Sequence, residues 1–173
     1  SSGTGEVKYW QIMNEPDHMN CLGSTPLAYF PILQAAYQAK MIADPNAQIV
    51  FAAIASDACY DDHQPPMITA EWNGWFFQDL LAAGAGDYFD VLSFNQYHVY
   101  RRNHEKSWAP GGLLGKMDRF RNYLADYGLS KPIIIAESGR QYAQDPGTTE
   151  YEQSAQMALV TAYNIAWAKA DAT

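Results

Sequence analysis

Two glutamates sit where acid–base and nucleophilic chemistry needs them. Glu15 follows an apolar stretch in YWQIMNEP (Tyr9 to Pro16), and Glu137 closes another in KPIIIAESG (Lys131 to Gly139). A pair of carboxylates brought together from different strand ends suits hydrolysis of a glycosidic bond. One protonates the leaving oxygen while the other meets the positive charge developing at the sugar carbon. The acid must be protonated and the nucleophile ionised, so the two environments have to differ, and a negative nucleophile close by itself helps keep the acid protonated. The neutral amide of Asn14 can hydrogen-bond a sugar 2-hydroxyl, an interaction that strengthens in the transition state without titrating.

The elements that must position these residues alternate between short apolar runs and longer amphipathic ones. Val7 to Met13 reads as a first strand. Ser24-Thr25-Pro26 marks a helix start, with Pro26 suited to the first turn, and the helix runs to about Ala43. Asp44-Pro45-Asn46 breaks it, and Ile49 to Ala55 is continuously apolar, as a strand buried on both faces should be. A long polar loop, Ser56 to Ala70, precedes a helical stretch from Trp72 to Ala83 that Gly84 to Gly86 ends. Phe89 to Tyr97 reads as the third strand, Val99 to Gly112 as a second long loop, and Leu113 to Tyr127 as a helix stopped by Gly128. Pro132 opens the strand Ile133 to Ala136, and Thr149 to Lys169 is a final amphipathic helix.

Four βα repeats with buried strands and no hairpin signal imply a parallel sheet covered by helices. Long loops follow the strands and short ones follow the helices, the asymmetry of a TIM (β/α)8 barrel with its site on the strand-to-helix loops. An open, flavodoxin-like sheet is the alternative, but it binds its ligand through a glycine-rich first turn, and no strand here is followed by one. A complete barrel takes roughly 250 residues and eight units. The 173 residues therefore read as one partial barrel domain of about four βα units, spanning 1–173.

YWQIMNEP, FDVLSFNQY and KPIIIAESG resemble the ends of the fourth, sixth and seventh strands of clan A glycoside hydrolases, retaining enzymes that include families 5 and 39. The resemblance implies that Glu15 of the Asn-Glu-Pro triplet is the general acid/base and that Glu137 is the nucleophile. It also places Asn14 on the sugar 2-hydroxyl. The clan often carries Ser-Phe-His-x-Tyr where this chain has Ser93-Phe94-Asn95-Gln96-Tyr97. Tyr97 then matches the tyrosine that hydrogen-bonds the nucleophile, with the alternative of a packed core aromatic, and Asn95 stands at the histidine position as a candidate substrate-binding residue. His98 is one step from Tyr97 and points to the opposite side of an extended chain. The resemblance covers units four to seven, so the first three strands and the eighth have to come from the rest of a full-length chain.

Sugar rings present apolar C–H faces that stack on aromatic side chains, which makes Trp72, Trp75, Trp108 and Tyr100 candidate platforms. Trp72 and Trp75 share a helix face, where one of the pair is expected to pack against the barrel. Arg101 and Arg102 are either solvated or placed for an acidic sugar. Cys21 follows the first strand and Cys59 the second, so both belong to loops at the same end of neighbouring strands; they are either free thiols or a disulfide suited to an exported enzyme. Asp57, Asp61, Asp62 and His63 lack the spacing of a metal site and read as a solvated turn, and double displacement at two glutamates needs no cofactor.

A balance of 19 acidic against 11 basic residues, net −8, disfavours nucleic acid and anionic membrane as partners. A neutral carbohydrate is indifferent to that charge. The sequence shows no apolar run of membrane-spanning length and no signal-peptide pattern, and the substrate class favours a secreted or periplasmic location. Two other classes remain on the sequence alone. A carbohydrate-binding or inactive barrel fragment would keep the fold without turnover, and metal-assisted enolisation would require acidic ligands at several strand ends. Ala55 and Tyr97 occupy the other two strand ends.

Overall fold

A computed structural model of the chain describes residues 7–55, 73–97, 113–139 and 158. Its elements run β1 (Tyr9–Gln11), α1 (Pro26–Ala43), β2 (Gln48–Val50), α2 (Phe76–Ala82), β3 (Leu92–Tyr97), α3 (Leu113–Asp126) and β4 (Ile133–Gly139). Single 3-10 turns at Leu22–Ser24 and Ala85–Tyr88 serve as connectors. The chain divides into two compact units, 1–96 with 106–137 and 97–105 with 138–173, and nearly all described residues belong to the first. The two long loops and the helix expected over 149–169 fall outside the described residues, apart from the helical Ala158.

Strands β1 and β2 pair in parallel, with Tyr9 opposite Gln48, Trp10 opposite Ile49 and Gln11 opposite Val50. Parallel bridges at Val50–Val91 and Ile54–Phe94 carry the β2 segment onto β3. β3 lies beside β4, where the Leu92 N–H donates to the Pro132 carbonyl at 2.9 Å. Spatial order therefore follows chain order without a reversal. A doubly wound sheet reverses direction at its switch point, so the described strands are wound one way, as in an arc of a barrel. Among the described residues they form no closed barrel.

β1, β2 and β3 are shorter than the apolar runs that announced them, while β4 runs past Ala136 to Gly139, and for β1 the backbone gives the reason. Met13 (φ 71°) and Glu15 (φ 47°) both adopt left-handed conformations, which take the chain out of the ladder just after β1. Tyr29 on α1 fills the gap. Its hydroxyl donates to the Ile12 carbonyl and accepts from the Ala52 N–H, each at 3.1 Å, while burial pushes its phenol well above the usual tyrosine value. Contact between the segments resumes at the Asn14–Ala53 bridge.

Local signals account for the helix ends. α1 begins at Pro26 and stops at Ala43, after which the Asp44 carboxylate accepts the Asn46 N–H at 3.0 Å in a tight turn. α2 starts later than Trp72 because Asn73 folds back on the chain: its Oδ1 accepts the Trp75 N–H at 3.0 Å and its carbonyl the Phe76 N–H at 3.2 Å. Gly84 (φ 89°) and Gly128 (φ 69°) supply the left-handed residues that end α2 and α3. Between helices and strands lies an aromatic core in which Phe51 meets Tyr29, Phe77 and Phe89 edge-on at 5.2–5.3 Å, and Phe120 of α3 meets Phe94 at 5.3 Å.

The strand starts are pinned by a charge pair. Lys40 Nζ donates to Asp90 Oδ2 at 2.7 Å, the same oxygen accepts the Ile49 N–H at 2.7 Å, and the two side chains are only 6% and 21% exposed. Removing one member strands the other in a place it cannot hydrate. Asp90→Ala is therefore expected to cost about 3 kcal/mol, read as a lower urea midpoint with an unchanged slope. An unaltered midpoint would mean that Lys40 reaches water when its partner is gone.

Candidate active site

At the opposite end of the strands, Glu15 is held by its backbone first. Its N–H donates to the Ala53 carbonyl at 2.9 Å, and its own carbonyl accepts the His18 N–H at 3.0 Å, closing a turn over the buried Pro16 and Asp17. Asp17 anchors that turn: its Oδ1 accepts the Ala55 N–H at 3.1 Å and its carbonyl the Asn73 N–H at 3.0 Å. The end of β1, the end of the β2 segment and the approach to α2 are thus tied together. Left-handed backbone at non-glycine residues costs about 1–3 kcal/mol each and persists where surrounding bonds over-determine it. Met13 and Glu15 are such residues, one on either side of Asn14.

Two asparagines then bracket the two glutamates. Asn95 on β3, 1% exposed, donates through Nδ2 to Glu15 Oε1 at 2.7 Å. Asn14 donates through Nδ2 to Glu137 Oε1 at 3.1 Å. The residue next to Glu15 in the chain therefore binds the carboxylate of Glu137, which brings the ends of β1 and β4 to one place. Both donors are neutral amides, and both carboxylates are partly exposed, so neither head group is sealed from an incoming molecule. Behind Asn95, Lys116 of α3 is 4% exposed; its Nζ donates to the Asn95 carbonyl at 2.9 Å and reaches the Ala55 carbonyl at 3.5 Å, over the Phe94 ring at 5.5 Å.

Of the residues singled out from sequence, Glu15, Glu137, Asn14 and Asn95 come together, with Asn95 turned onto Glu15. Trp75 is 39% exposed on the segment that Asn73 ties to Asp17. Tyr97 ends β3, but its side chain lies outside the described residues, as do Trp72, Trp108, Tyr100, Arg101, Arg102 and His98. Cys59, Asp57, Asp61, Asp62 and His63 lie outside them too, so the pairing of Cys59 with Cys21 and the acidic turn are not described. Cys21 is partly exposed, its Sγ 4.0 Å from the Asn14 carbonyl. Among the described residues no group of three or more His, Cys, Asp or Glu is placed to hold a metal, and no helix is long and apolar enough to cross a membrane.

Asp17 and Lys116 are the site residues that sequence reasoning missed. Lys116 did carry a signal, since Lys116, Met117, Phe120 and Leu124 fall on the buried face of α3, where a lysine needs a partner. No protein-family model matches the chain, and no curated protein matches it. Among solved structures, a family 51 alpha-L-arabinofuranosidase from Bifidobacterium longum superposes with a TM-score of 0.51 at 19% identity. The match covers 84% of this chain and 29% of the enzyme, so the chain spans under a third of that protein's length. At that identity the likeness is one of fold, a partial α/β segment of a glycoside hydrolase.

Proposed function

We propose that this chain is the portion of a clan A retaining glycoside hydrolase that carries both catalytic glutamates, corresponding to the fourth to seventh βα units of a TIM barrel. The observation that carries the reading is the pair of amide brackets: Asn14 on Glu137 and Asn95 on Glu15, at the common end of strands wound in one direction. In the first step Glu137 attacks the anomeric carbon as the glycosidic C–O bond breaks, and Glu15 passes its proton to the leaving oxygen. In the second, Glu15 takes a proton from water, which attacks the anomeric carbon and releases Glu137. A sound retaining geometry places the two carboxyl groups about 5 to 5.5 Å apart. The non-titrating amides suit both halves of the cycle, since they orient the carboxylates without competing for the proton.

The rest of the barrel, on this reading, comes from the rest of the polypeptide. Tyr9 and Trp10 on β1 are 63% and 53% exposed and Ile134 on β4 is 41% exposed, which leaves apolar surface at both outer strands for neighbouring strands to cover. Tyr97 would hydrogen-bond Glu137, and Trp75, with Trp72 and Trp108, would supply stacking faces for the sugar. The fold likeness to an arabinofuranosidase makes arabinofuranosides reasonable first members of a substrate panel.

The test is the stereochemistry of turnover. Full-length protein given aryl glycosides is expected to release the sugar first in the anomeric configuration of the substrate, followed by proton NMR before mutarotation equilibrates it. First release of the opposite anomer would replace double displacement with a single inversion. No turnover of any glycoside, with sugar still bound, would favour a carbohydrate-binding module.

A further inference from the structure

Asn95 is a costly residue for a purely structural position. Its side chain is buried on β3, yet only one end of the amide is used: Nδ2 donates to Glu15 Oε1 at 2.7 Å while Oδ1 is buried without a hydrogen-bond partner. A buried orphan acceptor is destabilising, and leucine, of nearly the same shape, would avoid that cost. The residue is also fixed from behind, because Lys116 grips its carbonyl at 2.9 Å and its N–H is bonded to the Ile54 carbonyl at 2.9 Å. The amide therefore has little freedom to swing away from Glu15.

We propose that Asn95 is the positioning residue that decides which oxygen of Glu15 carries the proton. An N–H aimed at Oε1 occupies that oxygen's lone pair and opposes a hydrogen there. The proton of the neutral acid consequently resides on Oε2. When the glycosidic bond breaks, the Oε2 proton moves to the leaving oxygen, and the negative charge left on the carboxylate is met at Oε1 by the amide. When water attacks in the second half, its proton returns to Oε2 and Oε1 again stays bonded to Asn95. One oxygen is thus held as an anchor and the other is reserved for transfer. This rests on the double-displacement reading above for its chemistry, although the bond itself does not.

Two measurements on the full-length protein test it. Asn95→Leu preserves shape and removes both the donor and the orphan acceptor; Asn95→Ala is a second variant that does not depend on leucine fitting. With leaving groups that need protonation, such as an alkyl or sugar aglycone, kcat/KM is expected to fall roughly 10- to 100-fold, a part of what general acid catalysis supplies. With a dinitrophenyl leaving group, which departs unaided, it should fall less than about threefold. A residue that only packs would lower both substrates alike, and that equal loss, or no loss, overturns the proposal. The second measurement needs no turnover: with asparagine-selective 15N labelling, the Asn95 side-chain N–H proton should lie downfield and move upfield in Glu15→Ala, where its acceptor is gone. An unmoved signal overturns the positioning role even in an active hydrolase. A moved signal in a protein that cleaves no glycoside retains that role and removes the hydrolase reading instead.

Discussion

Glu137→Ala is expected to lower turnover of every glycoside by a factor on the order of 10⁴ or more, as loss of a covalent nucleophile does elsewhere. No other described side chain can take over the attack. Asn14, which now donates to Glu137 at 3.1 Å, is a neutral amide, and Glu15 is held onto Asn95. The loss should be nearly independent of leaving group, because the departing oxygen is of no help when nothing attacks the anomeric carbon. KM should change little by comparison, since the truncated side chain is a small part of the surface a sugar would touch. Steady-state kinetics across a leaving-group series checks this. A loss confined to poor leaving groups would move the acid role to Glu137 and exchange the two assignments.

Glu15→Ala is expected to fail in a different way. General acid–base catalysis is worth about 10²–10⁴-fold, so a sugar or alkyl aglycone should lose about that much, whereas an activated aryl aglycone still departs. The glycosyl-enzyme then accumulates because no base activates water, visible as a burst of phenol followed by a slow steady state. Azide needs no base, and its addition should restore turnover of the activated substrate and yield a glycosyl azide of retained configuration. An equal loss for all substrates with no burst and no azide product would mean that the variant disrupts the turn that Glu15, His18 and Asp17 build, and not the proton transfer.

Local signals in the chain announced much of this arrangement. Pro26, Asp44-Pro45-Asn46, Gly84 and Gly128 act within a few residues of themselves, so the helix limits they set are the ones observed. The carboxylates closing apolar runs were legible for the same reason, since a charge beside a buried strand is rarely accidental. Three features depend on distant partners and left weaker traces. The left-handed Met13 and Glu15 carry no glycine to mark them; they are held by the Ala53 carbonyl and the Tyr29 bridge, which no local pattern reveals. Asn95 reads as one more residue facing a ligand until β1 and β3 are placed, at which point its amide lies against Glu15, 80 positions away in the chain. Lys116 falls on the buried face of an amphipathic helix, which signals a partner, but only packing of α3 beneath the strand ends shows what its ammonium grips.

A single experiment bears most directly on the claim that Glu15 and Glu137 form a retaining pair. Full-length protein is incubated with activated 2-fluoro glycosides, an arabinofuranoside among them, then digested and its peptides weighed. The fluorine slows both steps by opposing charge at the anomeric carbon, and a good leaving group lets the first proceed, so a nucleophile remains glycosylated. The expected result is one adduct, on the peptide that contains Glu137, absent in Glu137→Ala and present in Glu15→Ala. An adduct on any other residue, or none in a protein that releases the inverted anomer, would contradict it.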